Sequence, residues 1–188
     1  MEEKELIRSF IALDLPREVI NQIEDIQKLI KNKKLFYGKT TEPENLHLTL
    51  KFLGEIDEEK LEEVKEKLKE VKFSGFEACI DEIGVFSKDF LKIIWVKLDG
   101  KEVFDLQKQI DEKMNELGFE IENRFMSHIT IARIKKPVNK KALLDYIKNM
   151  KISKTKMKVD KFILKKSVLK PEGPVYENIG EYSLESQL

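Results

Sequence analysis

The stretch Leu46-His47-Leu48-Thr49-Leu50-Lys51-Phe52-Leu53, closed by Gly54, decides how the rest of the chain is read. Its alternation of aliphatic and polar side chains is that of a strand with one face on a core. His47 and Thr49 then share one face, and Leu48 and Leu50 share the other. The same tetrad of His, aliphatic, Thr, aliphatic returns in Ser127-His128-Ile129-Thr130-Ile131-Ala132, and the chain has 2 histidines in all.

Working outward, both tetrads sit in the same order of elements. Residues 6–15 are apolar and β-prone, and Pro16 opens a helix whose apolar face includes Val19, Ile20, Ile23, Ile26 and Ile30. A turn-rich link through Gly38, Thr40 and Pro43 leads to the first tetrad. Asp57 is placed to cap a helix bearing Leu61, Val64, Leu68 and Val71, and residues 76–86 make a further strand. The second series begins with the strand Ile93-Ile94-Trp95-Val96. Gly100 precedes a helix with Val103, Phe104, Leu106, Ile110 and Met114. The second tetrad follows, broken by Pro137. Asn139 then caps a helix with Leu143, Leu144, Ile147 and Met150, and residues 157–164 return as a strand. Glu18-Val19 also matches Glu102-Val103, so the chain reads as a weak internal repeat.

The expected fold is α+β. Two similar lobes, each a small mainly antiparallel sheet with helices packed outside, are related by approximate two-fold symmetry around a central groove. No Ser/Gly-rich or Pro-rich linker separates the halves, so residues 1–188 are expected to form one bilobal domain. The lobe halves fall at about 6–86 and 91–165, with a C-terminal segment 166–188.

With 188 residues and 41% hydrophobic content the chain can bury a core of its own. Lys+Arg and Asp+Glu each total 35, so no global basic field announces a nucleic-acid partner, and any RNA contact must be local. The 37% charged content, rich in Lys and Glu, is of the kind seen in heat-adapted proteins. The single cysteine, Cys79, is expected in the core. The opening Glu2-Glu3-Lys4-Glu5 has no apolar run of signal length, and no apolar stretch approaches the ~18 residues of a membrane span. A cytoplasmic protein is expected, with no membrane association and no required protein partner.

One such tetrad, read alone, is a half-buried histidine beside a threonine that suits β structure. Two in corresponding places of a repeat point to a paired site. If the lobes face each other, one neutral imidazole can take a proton from a nucleophile while the other, protonated, donates to a leaving oxygen. Thr49 and Thr130 can donate to non-bridging phosphate oxygens. The tetrads hold no carboxylate or thiolate, whereas a catalytic zinc takes three protein ligands, so neither metal nor other cofactor is expected. There is no Gly-x-x-x-x-Gly-Lys-Ser/Thr loop for ATP, and no Ser or Cys with an adjacent base for acyl transfer.

The two tetrads resemble those of the two-histidine phosphoesterase superfamily. Residues 8–16, Arg-Ser-Phe-Ile-Ala-Leu-Asp-Leu-Pro, are similar to its opening strand, and residues 43–54 are similar to the first motif of its RNA 2′,3′-cyclic phosphodiesterase branch, formerly called 2′-5′ RNA ligase. His128-Ile129-Thr130-Ile131-Ala132-Arg133 resembles the second motif, and Leu169-Lys170-Pro171-Glu172-Gly173-Pro174-Val175-Tyr176 the closing segment. The resemblance implies hydrolysis of a cyclic phosphate to a 2′-phosphate, with His47 the proton donor to the 3′ oxygen and His128 the acceptor from water. Thr49, Thr130 and Arg133 would hold the phosphate. Reversal with a 5′ hydroxyl would give 2′-5′ ligation. Expected partners are RNA 3′ ends, tRNA fragments among them, or small cyclic nucleotides. A non-catalytic RNA-end module is the reading from another class.

Ser127 stands where that branch has proline, which should loosen the start of the strand. Strict alternation puts Arg133 on the face opposite His128, so a bulge after Ile131 is needed for it to reach the groove. Lys51 shares parity with His47 but reads equally well as a solvated strand-end lysine, as do the pairs Lys135-Lys136, Lys140-Lys141 and Lys165-Lys166 as exposed lysines.

Overall fold

The computed structural model describes residues 5–171 and 173–186. The reading of residues 2–4 as a start without an apolar leader, and Glu172 of the closing segment, lie outside the described residues. No helix among the described residues is long and apolar enough to cross a membrane.

The first series gives β1 (Ile7–Asp14), α1 (Arg17–Asn32), β2 (Phe36–Thr40), a 3-10 turn (Pro43–Asn45), β3 (His47–Ile56), α2 (Glu58–Leu68) and β4 (Phe76–Val85). The second gives β5 (Ile93–Asp99), α3 (Lys101–Asn115), β6 (His128–Pro137), α4 (Lys140–Asn149), β7 (Thr155–Val159), β8 (Lys161–Lys170) and β9 (Gly173–Ser183). Both capping assignments hold: the Asp57 carboxylate accepts from the Lys60 N–H at 2.9 Å, and the Asn139 side chain accepts from the Ala142 N–H at 3.0 Å. Each cap stabilises its helix by ~1 kcal/mol.

The strands form two antiparallel sheets, ordered β3-β1-β8-β9 and β2-β6-β5-β4-β7. The α+β, two-sheet architecture is as expected, but the sheets do not follow the halves 6–86 and 91–165. Strands are exchanged between the series: β2 and β4 of the first pair with β6 and β5, and β8 of the second pairs with β1 and carries β9 with it. Pairing between strands far apart in the chain leaves no mark in local hydrophobic period, which is why a contiguous cut misses the exchange. Residues 157–164 are likewise divided between β7, in the larger sheet, and β8, in the smaller.

Two strands, β2 and β9, lie where none was predicted or where turns were read. The link through Gly38 is the edge strand β2, and glycine is needed there because a Cβ would stand 2.2 Å from the Arg133 carbonyl oxygen. β9 is built from the C-terminal segment, and β7 extends the other sheet beyond β4. The aliphatic face of each tetrad strand is sealed, with Leu48, Ile129 and Ile131 at 0% exposure and Leu50 at 2%. Cys79, on β4, is half-buried rather than fully enclosed.

β3 and β6 share an irregularity that aims the site. In each, two consecutive residues are buried after the tetrad's threonine: Leu50 with Lys51, and Ile131 with Ala132. The register against β1 skips Leu50, and that against β5 skips Ile131. These bulges flip the parity of everything downstream.

Candidate active site

β3 presents His47 and Thr49, and β6 presents His128 and Thr130, each half-buried. Both rings are fixed in the same way. His47 Nδ1–H donates to the Asn45 carbonyl at 2.8 Å, and His128 Nδ1–H donates to the Met126 carbonyl at 2.9 Å, in each case two residues back. With Nδ1 protonated, the neutral ring keeps its lone pair on Nε2, the atom free to take or give a proton. The Thr49 hydroxyl lies 3.1 Å from His47 Nε2 and donates to it in that tautomer. Aromatic rings enclose both imidazoles: Phe10 at 4.9 Å and the edge-on Tyr176 at 5.0 Å for His47, and the edge-on Phe86 at 4.6 Å for His128.

This enclosure disfavours the imidazolium forms. Burial drives His47 down to about 4, aided by the charges of Lys165 and His128 and opposed by the Asn45 carbonyl and Asp14. His128 is lowered too, by burial first and then by the Arg133 guanidinium, against the Met126 carbonyl.

The bulge at Ile131 supplies what strict alternation denied to Arg133. On β5, Ile93 and Trp95 share a face, and they stand opposite Arg133 and Thr130. Arg133 therefore joins His128 and Thr130 on the groove face. Its charge also acts on Tyr176 across the groove. The buried Gln27 of α1 braces this bulge, donating to the carbonyls of Ile131 at 2.8 Å and Thr41 at 2.9 Å. The Thr41 hydroxyl donates to the Thr130 carbonyl at 2.8 Å, fixing the backbone that carries the second threonine.

The matching bulge in β3 has the opposite effect on Lys51. It turns Lys51 away from the groove, so the parity argument placing it beside His47 fails. Lys51 is buried and ion-paired with Asp111 of α3, and it also donates to the Glu120 carbonyl. Asp111 accepts from the Glu122 N–H at 2.7 Å, tying down the loop ahead of β6. Phe52, not Lys51, occupies the position on the groove face that Arg133 holds in the other repeat. Nor does Ser127 loosen its strand: it is 1% exposed, and its hydroxyl donates to the Leu98 carbonyl of β5. Lys135, Lys136, Lys140 and Lys141 are exposed, but Lys165 is buried.

Reasoning from the tetrads left out Phe10, Tyr176 and Phe86. The first two lie in the opening and closing segments quoted above, and position in those segments was the available signal. A cavity of about 490 Å³ opens beside His128, lined by Thr49, Phe52, Phe86, Arg124 and Phe125 among others. Among the described residues, no group of three or more His, Cys, Asp or Glu side chains is placed to hold a metal ion.

Two imidazoles and two threonines, brought to one groove by repeated strands, define a phosphoesterase of the two-histidine class. A family model described as LigT-like phosphoesterase matches residues 13–95 and again 96–176, one match for each series. The chain belongs to that family. A Methanocaldococcus jannaschii protein named RNA 2′,3′-cyclic phosphodiesterase is 36% identical over 178 residues, covering 94% of this chain and 100% of that one. A Thermotoga maritima protein of the same name is 35% identical, covering 97% and 98%. A solved Thermus thermophilus structure superposes with a TM-score of 0.77 at 27% identity, covering 96% of this chain and 100% of the other. Escherichia coli LigT complexed with 3′-AMP shares the fold, with a TM-score of 0.76 at 23% identity and coverage of 96% and 99%.

Proposed function

We infer that this chain hydrolyses the 2′,3′-cyclic phosphate at an RNA 3′ end without a metal ion, leaving a 2′-phosphate. The observation that carries the reading is the matched anchoring of the two rings: each Nδ1–H is held by a backbone carbonyl, so each Nε2 is reserved for proton transfer. The named relatives support the substrate.

In this mechanism water attacks phosphorus in line with the departing 3′ oxygen. His128 Nε2 accepts the water proton, and His47 Nε2, as imidazolium, protonates the 3′ oxygen. Thr49, Thr130 and Arg133 hold the non-bridging oxygens, where charge accumulates. A neutral His47 in the empty groove means that the donor acquires its proton alongside the phosphate anion. With a 5′ hydroxyl in place of the attacking water, the same displacement forms a 2′-5′ linkage and frees the 3′ hydroxyl.

Phosphorus NMR of the product from a short RNA ending in 2′,3′-cyclic phosphate tests the reading. A 2′-monoester is expected. A dominant 3′-monoester would overturn the regiochemistry, and binding without turnover would mark a recognition module.

A further inference from the structure

The two sides of the groove carry the same His and Thr but differ in what stands beside them. On β1, Asp14 and Ala12 face His47 and Thr49; on β5, Lys97 and Trp95 face His128 and Thr130. The exchanged strand β8 adds Lys165 to the His47 side, opposite Phe10, whose ring packs on His47. Lys165 is 7% exposed, and its ammonium donates to Asp14 Oδ1 at 2.8 Å and to Asn178 Oδ1 at 2.7 Å. Asp14 is therefore both the cross-strand neighbour of His47 and the anchor of Lys165.

A buried ammonium acts on its surroundings through a lower dielectric than an exposed carboxylate does. The Lys165 side chain is 9% exposed and that of Asp14 is 42% exposed, so water screens the anion of this pair more than the cation. Of this ion pair, the cation therefore acts more strongly than the anion on the neighbouring ring. The groups that face His47 are Asp14 from β1, Lys165 from β8, His128 from β6, Tyr176 from β9 and the Asn45 carbonyl from the 3-10 turn.

We propose that Lys165, clamped by Asp14 and Asn178, is a positioning residue that fixes a cation beside the buried His47 ring, so that His47 draws a proton from solvent as an anionic phosphate enters. The proposal rests on His47 being one of the acid/base pair. It distinguishes the two tetrads by the source of the cation: the exchanged strand brings the buried Lys165 to His47, whereas His128 has the exposed Arg133 of its own strand. The low proton affinity of His47, set first by burial and to which Lys165 contributes more than Asp14 opposes, agrees with it.

The chain's 2 histidines give two imidazole signals in a proton NMR titration, assigned with His128→Asn. Lys165→Met is expected to raise the His47 midpoint and to move the matching limb of the kcat/KM pH profile in the same direction. Lys165→Arg, which retains the charge, should hold the midpoint, and Asp14→Asn should lower it. Inorganic phosphate should raise the wild-type midpoint. A folded Lys165→Met protein whose His47 midpoint is unchanged overturns the proposal; if Lys165→Met does not fold, an unmoved midpoint in Asp14→Asn does so. If the ring moves but His47→Ala still turns over cyclic phosphate, the acid/base reading fails and the tuning stands.

Discussion

Gln27 of α1, 7% exposed, donates its side-chain amide to the Ile131 carbonyl of β6 at 2.8 Å, at the bulge that turns Arg133 into the groove. A helix of one series thus braces the tetrad strand of the other. Gln27→Leu keeps most of the volume but removes donors to both Ile131 and Thr41. The expected result is a loss of about 1–3 kcal/mol in urea unfolding, with a rise in KM as Arg133 loses its aim. Unchanged stability and kinetics would show that the bulge stands without this brace.

Asp111 is the counterpart on α3, and it holds Lys51 where Gln27 holds Ile131. Their side chains are 6% and 5% exposed for Lys51 and Asp111 respectively, so removing one partner strands a buried charge. Lys51→Met should cost about 3–5 kcal/mol. Lys51→Met combined with Asp111→Leu should recover much of that loss. A single variant as stable as wild type in urea would remove the pair from the account.

The low proton affinity of His47 has a consequence for acid stability. The unfolded ring protonates near the ordinary imidazole value of 6.5, while burial lets the folded ring do so only at about 4. Between these values the unfolded state binds more protons, so stability rises with pH across the window and is lost as pH falls through it. This ring contributes on the order of 2–3 kcal/mol. Urea midpoints of wild type and His47→Gln should converge as pH falls from about 7 to about 4.5. Parallel decline of the two would place the acid sensitivity elsewhere.

The helices and the two tetrad strands were legible because their signals are local. Asp57 and Asn139 announce helix starts, and His-x-Thr-x alternation announces a face. The need for a bulge before Arg133 was legible too, since only a parity flip joins it to His128. The same flip in β3 went unread: Lys51 carried no mark that it would turn inward, because its partner Asp111 lies 60 residues away. The exchange of β4 and β8 was hidden for the same reason, and with it the burial of Lys165 in the groove. Local pattern reports which residues share a face, whereas the sheet order decides what that face meets.

Arg133 is the position where charge and geometry separate. Its planar guanidinium can hold two phosphate oxygens at once, which a lysine cannot. Arg133→Gln should lower kcat/KM about 10- to 100-fold, with Arg133→Lys recovering only part of it. Steady-state kinetics on a cyclic-phosphate-ended RNA would check this, and a lysine variant equal to wild type would reduce the role to simple charge.

The most direct measurement is turnover of a short RNA ending in 2′,3′-cyclic phosphate, after exhaustive EDTA treatment, by wild type, His47→Ala and His128→Ala. The account predicts full wild-type activity in chelator and losses of roughly 10² to 10⁴-fold in each variant, with circular dichroism spectra unchanged. Near-full activity in either folded variant, or wild-type activity lost to chelator and restored by zinc or manganese, would contradict it.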